Sequence, residues 1–356
     1  MIRINEYTNR PLYDYLIVGQ GIAGTLLSYF LIQSHKKIVV IDNGQNTTSK
    51  IAGGIINPVT GRRLVKTWKA DTLIPFAKET YLRLENELKT KFLKELPILK
   101  LFSSVKEQND WLAKSETEEM QDYMESDVVH DHEDKIQLPF GYGEIKGGMH
   151  IEMSKLLESY KDYLIKNDEF IEDNCDCNEL IITANGVEWK NIQAKCVIFC
   201  EGVSTQQNPY FNWLPFVPAK GEILLVKIPK LKMNQMINKG IFVLPVGEEI
   251  YKVGSTFDWD DLSNDPTEKA KTHLIEKLDD LLKINYEIID HKAGVRPTVK
   301  DRRPFIGIHP NHQEVGVFNG MGTKGALLAP FYAKQFVEHL ENNTELDPEV
   351  NILRYF

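Results

Sequence analysis

A glycine-rich turn between two short apolar runs constrains the fold of this chain more than any other feature. The apolar run YLIV is followed by Gly19, Gly21 and Gly24, which occupy the three glycine positions of a GxGxxG pattern. Residues 23–33 can then form a helix, and residues 37–41 have the apolar character of a second buried strand. In such a unit the first glycine allows a tight turn, the second lets backbone approach a pyrophosphate, and the third lets the helix pack closely on the strand. The pattern predicts a strand–helix–strand unit that binds a dinucleotide.

An acidic residue at the end of the second strand supports this prediction. Asp42 lies 18 residues after Gly24, where a carboxylate can accept hydrogen bonds from ribose hydroxyls. The alternative is a glycine-rich packing turn that binds no ligand, and it does not readily explain the acid at the strand end. The unit by itself does not distinguish NAD from FAD.

Charge and cysteine content narrow the expected partners and cellular compartment of the protein. The formal net charge of -9 disfavours a broad nucleic-acid surface, so small solutes are the expected partners. The four cysteines form no CxxC pair and fit a reducing cytoplasm: Cys175, Cys177, Cys196 and Cys200. Residues 15–32 resemble a membrane span, but glycines interrupt them and no basic region or cleavage site accompanies them. We therefore expect a buried strand and helix there, and no membrane span.

The order of predicted elements indicates two domains in one α/β chain. The length of 356 residues exceeds what one ordinary core needs. A third buried strand ends just before Gly202, whereas residues 221–256 alternate strands and turns in the manner of an antiparallel sheet. We predict a Rossmann-type dinucleotide-binding domain with a second domain built on a mainly antiparallel sheet plus helices. The predicted dinucleotide-binding domain is discontinuous and comprises residues 12–80, 145–217 and 295–356, and the second, substrate-binding domain comprises residues 81–144 and 218–294.

Two segments of the first half carry weaker signals. Helical periodicity predicts a helix over residues 71–96. The acidic and polar character of residues 105–135 predicts exposed surface.

Seven short segments taken together resemble the D-amino-acid oxidase superfamily of FAD-dependent oxidoreductases. They occur in family order between residue 13 and about residue 340: VGQGIAGTLL, SKIAGGIINP, VIFCEGVS, PAKGEILLV, YKVGSTFDW, AGVRPTVKDRRPFIG and NGMGTKGALLAPFYA. Glycine oxidase, monomeric sarcosine oxidase and the oxidase domain of a bifunctional tRNA-modifying enzyme belong to this superfamily. The resemblance implies FAD rather than NAD, and thus a Rossmann-type FAD-binding domain.

The resemblance also implies a role for a second glycine turn near the C-terminus. In this superfamily the first turn holds the FAD pyrophosphate, and the C-terminal turn meets the isoalloxazine ring. Gly320, Gly322 and Gly325 would let backbone N–H groups approach the flavin, and the positive end of the following helix would stabilise the reduced flavin anion. The implied FAD contacts are Gly19, Gly21, Ile22, Ala23, Gly24, Asp42, Asn43, Ser49, Gly53, Gly54, Ile55, Gly202, Gly320, Met321, Gly322, Thr323 and Lys324. No cysteine lies near this C-terminal segment, so we expect a noncovalent cofactor.

The resemblance makes three basic residues candidates for the chemistry. Arg296 matches the arginine that binds the substrate carboxylate in glycine and D-amino-acid oxidases, and its alternative is an ion pair with an aspartate such as Asp301. Lys324 falls where sarcosine oxidases place a carboxylate-binding lysine, with a solvent-facing lysine as the alternative. Lys252 matches the lysine that sarcosine oxidases place over the flavin to promote reaction with oxygen. Its alternative is an outward-facing strand lysine.

Other candidates match the family less closely. Glycine oxidases have an arginine where this chain has Thr323, so its substrate contacts differ from theirs. Arg62 and Arg63 lie near the position of another substrate-binding arginine in the sarcosine oxidases. A second group could line a pocket, although ordinary packing is the simpler interpretation for each: His150, Tyr210 and Trp213.

The implied reaction is oxidation of the C–N bond of a small amino acid or N-substituted glycine to an imine, with oxygen as the expected acceptor. An FAD-dependent amino-acid dehydrogenase is one alternative. Another is a tRNA-modifying oxidase that acts on an N-carboxymethylaminomethyl uridine, in which Arg62, Arg63, Lys66 and Lys69 would contact phosphates. The net charge of -9 opposes a nucleic-acid partner. The oligomeric state does not follow from the sequence.

Overall fold

The computed structural model describes residues 11–45, 47–61, 63–132 and 134–356. Arg62 therefore lies outside the described residues. Within those ranges the helices are α1 Ile22–Gln33, α2 Thr48–Ile51, α3 Ala70–Leu88, α4 Val105–Ser115, α5 Met153–Lys166, α6 Glu268–Asp279 and α7 Gly325–Asn342. The strands of the first half are β1 Leu12–Val18, β2 Ile38–Ile41, β3 Ile55–Ile56, β4 Val59–Thr60, β5 Val65–Lys66, β6 Leu93–Glu95, β7 Ile98–Leu101, β8 Tyr142–Ile145, β9 Met149–Ile151 and β10 Phe170–Ile171. Those of the second half are β11 Ile181–Thr183, β12 Gly186–Trp189, β13 Ile192–Phe199, β14 Ala219–Lys227, β15 Met236–Asn238, β16 Phe242–Gly247, β17 Ile250–Gly254, β18 Glu287–Arg296, β19 Phe305–His309 and β20 His312–Asn319.

An eight-stranded sheet carries the predicted strand–helix–strand unit as β1, α1 and β2. Its strand order is β10–β2–β1–β13–β12–β11, with β20 also paired to β13 and β19 to β20. The strands β10, β2, β1, β13 and β20 run parallel. Val18 is aligned with both Ile41 and Phe199, so these three strands end at one edge of the sheet. The turns that follow them therefore meet at that edge.

Helix α1 is buried along most of its length. Every residue from Ile22 to Leu31 is buried, because the helix packs against the eight-stranded sheet and is covered by α7. A helix enclosed on all sides has no polar stripe, which accounts for the continuous apolar run in the sequence. Among the described residues, no helix is long and apolar enough to cross a membrane.

The second large sheet has seven strands. Its order is β18–β14–β17–β16–β15–β7–β8, and its pairs are antiparallel except for β15 with β7. One face packs on α6 through Leu274 and Leu278, which join a core cluster with Leu224 and Val253. The prediction of a mainly antiparallel second sheet is confirmed. Two small sheets, β3–β9–β6 and β4–β5, complete the strand pairing.

The predicted helix over residues 71–96 is too long. Helix α3 ends at Leu88, where Lys89 adopts a left-handed conformation with φ of 52°. The buried Glu85 carboxylate then accepts the backbone N–H groups of Phe92 and Leu93 at 2.7 and 2.8 Å. These bonds fix a turn that leads into β6, so long-range strand pairing overrides the helical pattern in this segment.

The prediction of exposed surface for residues 105–135 is also wrong in part. Trp111 is fully buried, as are Met120 and Met124. The Trp111 ring packs against Gly143, where a Cβ atom would lie 2.0 Å from the indole. The apolar side of α4 is thus part of a core, which the high density of acidic residues conceals in the sequence.

Each large sheet gathers strands from separated parts of the chain. The eight-stranded sheet takes its strands from residues 12–41, 170–199 and 305–319, and the seven-stranded sheet takes them from residues 98–101, 142–145 and 219–296. The boundaries predicted for the two domains stay a prediction.

Candidate active site

A cleft is lined by residues from both large sheets and from the loops between them. Most of the FAD contacts predicted from the sequence lie on its wall: Gly19, Gly21, Ile22, Ala23, Asp42, Asn43, Ser49, Gly53, Gly54, Ile55, Gly202, Met321, Gly322, Thr323 and Lys324. Arg296 lines the same cleft. Gly24, Gly320 and Lys252 do not line it. The structure thus brings together residues that are up to 305 positions apart in the sequence.

The first glycine turn is held by close backbone contacts. Gly19 has φ of +101°, and a Cβ atom there would lie 2.6 Å from the Cys200 carbonyl oxygen. A Cβ atom on Gly24 would lie 1.8 Å from the Gly19 carbonyl oxygen. Gly24 therefore serves the packing of α1 on the turn, as expected for the third glycine of the pattern, and does not line the cleft.

The Asp42 carboxylate is oriented by backbone donors on both of its oxygens. Oδ2 accepts the Gln20 N–H at 2.7 Å, and Oδ1 accepts the Gly44 N–H at 2.7 Å. Each carboxylate oxygen can accept a further hydrogen bond, and Asp42 lines the cleft. Nearby, the Ser49 hydroxyl accepts the Ile22 N–H at the start of α1 at 3.2 Å. The acid is thus positioned to receive hydroxyl donors from a ligand.

The small-residue loop around Gly53 and Gly54 packs against β9 and β16. A Cβ atom on Gly54, which has φ of +61°, would lie 1.9 Å from the Ile151 carbonyl oxygen. A Cβ atom on Gly53 would lie 3.3 Å from the Phe242 ring on β16. Because both positions are glycine, the loop can pack closely against these neighbours at the wall of the cleft.

Asn319 joins the C-terminal glycine turn to the turn after β13. Its Nδ2 donates to the Gly202 carbonyl at 2.8 Å and to the Thr205 hydroxyl at 2.6 Å, and its Oδ1 accepts the Gly320 N–H at 2.8 Å. The Gly320 N–H is therefore engaged within the protein, which corrects the expectation that it faces a flavin. Sequence reasoning missed this role of Asn319. The signal available in the sequence was an asparagine at the end of an apolar strand, directly before a glycine.

Arg296 is a partly buried cation without a carboxylate partner in the described part of the chain. It is aligned with Ala219 at the end of the β14–β18 pair. Its Nη2 donates to the Ser255 hydroxyl at 2.9 Å, and both Nη atoms approach the Thr256 carbonyl at 3.3 Å. Burial lowers its pKa to about 10, so it remains charged at neutral pH. The contact with Asp301 considered above is wrong, because the Asp301 carboxylate binds the side chains of Arg354 and Tyr355.

The path of the Arg296 side chain depends on a glycine in the neighbouring strand. A Cβ atom on Gly221 would lie 1.7 Å from Nη2 of Arg296. Gly221 lies two residues from Ala219 in β14, so it is the diagonal neighbour of Arg296 on one face of the sheet. The guanidinium crosses β14 at this position, and its central carbon lies 4.4 Å from the centre of the Phe257 ring.

Lys324 is the second cation on the cleft wall. It lies at the N-terminal end of α7, and its Nζ donates to the Thr67 hydroxyl at 3.3 Å. Across the described ranges no carboxylate lies within 4.0 Å of its Nζ. Burial, together with the positive charges of Arg302 and Arg303, lowers its pKa to about 8. The cleft therefore carries two cations that a bound anion can neutralise.

Lys252 lies directly behind the loop that carries Gly53. Tyr251 and Val253 on either side of it join the core of the seven-stranded sheet, so Lys252 faces the other way. Its Nζ donates to the Ala52 carbonyl at 3.3 Å. Burial is the main cause that lowers its pKa. The side chain is thus not the outward-facing strand lysine considered above.

His150 is buried beside Lys252. Only 2% of its surface is exposed, and neither ring nitrogen has a hydrogen-bond partner in the part of the chain that the structure describes. Burial and the nearby charges of Lys252 and Lys94 lower its pKa to about 3, so the imidazole is neutral at pH 7. The other two aromatic candidates pack against His309 and do not line the cleft: Tyr210 and Trp213.

The basic residues after the small-residue loop are largely neutralised. Lys66 pairs with Asp71 at 2.6 Å, and Lys69 pairs with Asp347. Arg63 is exposed. These side chains therefore do not combine into an unpaired basic surface next to the cleft.

Comparison with known proteins agrees with this geometry. A family profile described as "FAD dependent oxidoreductase" matches residues 14–339. Glycine oxidase of Bacillus subtilis (strain 168) is 23% identical over 351 residues, which cover 89% of this chain and 90% of that protein. Glycine oxidase of Bacillus licheniformis is 25% identical over 362 residues, covering 94% of each. The crystal structure of glycine oxidase from Geobacillus kaustophilus shares the fold, with a TM-score of 0.76 at 17% identity over 95% of this chain and 97% of that one.

The cleft fits the FAD that this family uses. Gly19 and Gly54 leave room where a Cβ atom would collide with backbone. Arg296 and Lys324, which have no carboxylate partner among the described residues, line the same cleft. Asp42 presents oriented carboxylate oxygens to it. From the matched family and this wall of glycines, acid and cations, we conclude that the chain belongs to the FAD-dependent oxidoreductase family and is an enzyme with FAD as its cofactor.

Proposed function

We propose that this enzyme oxidises the C–N bond of a small amino acid or N-substituted glycine to an imine. The observation that carries the proposal is Arg296, a partly buried guanidinium that lines the cofactor cleft without a carboxylate partner among the described residues. A planar guanidinium binds a carboxylate through two charge-assisted hydrogen bonds. The relatives named above, which are glycine oxidases, support an amino-acid substrate.

The protein's task in this reaction is mainly to orient the substrate. The residues of the two glycine turns and Asp42 would hold FAD, which would supply the acceptor for the hydride equivalent from the carbon that bears the amine. Arg296 binds the substrate carboxylate, and Lys324 adds a second positive charge on the same wall. Fixing the carboxylate holds the reacting carbon in one geometry, which lowers the entropic part of the barrier. Water then hydrolyses the imine to an oxo acid and an amine.

We propose oxygen as the electron acceptor, which would take two electrons and two protons to give hydrogen peroxide. Lys252 supports this choice, since its partly buried ammonium lies behind the Gly53 loop and donates to the Ala52 carbonyl. A fixed positive charge stabilises the negative charge that develops on oxygen as it accepts electrons. A dehydrogenase would not need a cation at this position.

Two further features support a small-molecule enzyme with a noncovalent cofactor. Cys175 and Cys200 line the cleft, and burial is the main cause that raises the pKa of each thiol. A protonated thiol is a poor nucleophile, so neither side chain is suited to covalent attachment of the flavin. Asp258 and Asp260 follow shortly after Phe257, which lines the cleft, and carboxylates so near the cleft in the chain oppose the phosphates of a tRNA.

The test is an anaerobic titration of the purified holoenzyme followed by visible absorption. Glycine, sarcosine, D-alanine, D-proline and N-carboxymethylaminomethyl uridine are added separately. Bleaching of the oxidised-flavin band by an amino acid supports the proposal and identifies the substrate. Bleaching by the modified uridine alone would assign the tRNA reaction instead. Retention of the band with all five would contradict the proposed substrate class.

A further inference from the structure

Two aromatic side chains lie exposed beside Arg296. Phe257 and Trp259 are 50% and 60% exposed, and their rings stack with centroids 6.1 Å apart and an interplanar angle of 26°. Phe257 lines the cofactor cleft and contacts the Arg296 guanidinium. Leaving two large rings in water forgoes the free energy of their burial. The stacked pair is therefore suited to a ligand that covers it.

The segment that carries these rings, residues 255–266, is called the aromatic loop here. Its backbone pairs with β14, since the Lys220 N–H donates to Asp258 at 2.7 Å and the Asp258 N–H donates back at 3.0 Å. This register places Phe257 alongside Gly221, over which the Arg296 guanidinium passes. The loop thus presents its rings at the position where a carboxylate would bind.

A buried lysine fastens the outer half of the aromatic loop. Lys220 is fully buried, and its Nζ donates to the Asp261 carboxylate, to the Ser263 hydroxyl at 3.1 Å and to the Asp265 carbonyl. Asp258 in turn accepts the N–H groups of Asp260 and Asp261 at 2.9 and 3.1 Å. The exposed rings are therefore held on an ordered loop, which reduces the entropy lost when a ligand binds them.

We propose that the aromatic loop recognises a flat ring on the substrate. The substrate is then an amino acid or N-substituted glycine that bears an aromatic or heteroaromatic ring, with its carboxylate on Arg296 and its ring on Phe257 and Trp259. This inference rests on the proposed function and narrows its substrate class. Offset stacking on a fixed aromatic pair favours a ring over an alkyl group of similar size.

The experiment compares two carboxylates that differ by a ring. Propanoate and 3-phenylpropanoate are titrated into the FAD-loaded enzyme by calorimetry, which needs no turnover. We expect 3-phenylpropanoate to bind about tenfold more tightly. Trp259→Ala should remove most of that difference with little change for propanoate, and Trp259→Phe, which keeps a ring, should retain part of it. Leu262→Ala is the matched control, because Leu262 lies on the same loop and is 42% exposed.

Four results would overturn the proposal. The first is equal affinity of the two acids for the unmodified enzyme, and the second is binding of neither. The third is an equal loss for both acids in Trp259→Ala, which would mean that the rings only shield Arg296. The fourth is a changed sedimentation coefficient in Trp259→Ala with an unchanged ring preference, which would assign the pair to a contact between copies of the chain.

Failure of the proposed function is distinguishable from these results. If 3-phenylpropanoate binds through Trp259 but neither sarcosine nor N-benzylglycine reduces the flavin, the ring site stands and the oxidation of N-substituted glycines fails. If both amines reduce the flavin, the ratio of their kcat/KM values should favour N-benzylglycine. That ratio should fall about tenfold in Trp259→Ala, in parallel with the carboxylate affinities.

Discussion

Single residues decide the chemistry that the cleft can perform, and Arg296 is the clearest case. The sequence offered Asp301 as a structural partner, but that carboxylate binds Arg354 and Tyr355. Arg296→Ala should therefore lower kcat/KM for a carboxylate substrate by a factor that corresponds to about 2 to 4 kcal/mol of activation free energy. The loss should appear mainly as a higher KM, and FAD should stay bound. Steady-state kinetics and the flavin absorbance measure both effects. Arg354→Ala is the matched control and should leave KM unchanged, so equal effects of the two substitutions would remove Arg296 from the substrate site.

Lys252 makes a second residue-scale prediction about the two half-reactions. Lys252→Met keeps most of the length of the side chain and removes its charge. Stopped-flow absorbance should show slower reoxidation of the reduced enzyme by oxygen, with little change in reduction by substrate, because the charge is needed where oxygen accepts electrons. Lys227→Met serves as the control, since Lys227 is an exposed strand lysine on β14. Equal slowing of both half-reactions would contradict the assigned role.

His150 makes a prediction about pH and stability. Its pKa is about 3 in the folded chain, against an ordinary value near 6.5. As the pH falls below about 6.5, the unfolded chain binds a proton at this position and the folded chain does not. The free energy of unfolding therefore decreases as the pH is lowered, until the pKa of the folded state is reached. Between pH 7 and pH 5 this loss is about 2 kcal/mol. His150→Phe should remove it in urea unfolding, whereas the exposed His273→Gln should not. An unchanged slope in His150→Phe would show that the ring titrates normally.

At the scale of elements, the pairing of β14 with β18 sets the position of Arg296 and thus the geometry of the proposed substrate site. Gly221→Ala would place a Cβ atom 1.7 Å from the Arg296 guanidinium, so we expect the side chain to be displaced and KM to rise nearly as far as in Arg296→Ala. Gly240→Ala is a contrasting variant, because a Cβ atom at Gly240 meets nothing within 4 Å but φ is +75°. It should lower stability by about 1 kcal/mol and leave KM unchanged. An unaltered KM in Gly221→Ala would mean that β14 shifts to accommodate the added Cβ atom without displacing the Arg296 guanidinium.

The success of sequence reasoning differed from element to element. The βαβ unit was predicted because its strand, helix and turn each carry a local signature, and α1 was identified from an apolar run interrupted by glycines. Helix α3 was predicted eight residues too long, because the bonds from Phe92 and Leu93 to Glu85 and the pairing of β6 with β9 come from other parts of the chain. The burial of Trp111 escaped notice for a similar reason.

At the scale of the whole molecule, residues of both large sheets line the cleft. A bound cofactor should therefore stabilise the two sheets together. FAD binds only the folded chain if its site requires both sheets, and ligand at 100 times its Kd then stabilises the fold by about 2.7 kcal/mol. Thermal unfolding of the apoprotein should therefore shift to higher temperature as FAD is added. NAD at equal concentration is the control. A Tm that does not depend on FAD would contradict a cofactor site built from both sheets.

The sequence by itself determined the dinucleotide-binding unit, the mixed α/β architecture and the family, because glycine turns and strand and helix periodicities are properties of neighbouring residues. Through a family resemblance it also indicated Arg296, Lys324 and Lys252 as candidate site residues. Only the tertiary structure decided which of these cations have no carboxylate partner among the described residues, that Gly221 opens the path for Arg296, and that Lys220 holds the loop with the exposed rings beside it. Those features depend on β14 pairing with both β18 and the aromatic loop. Contacts between segments so far apart in the chain leave no periodic signal in the amino-acid order.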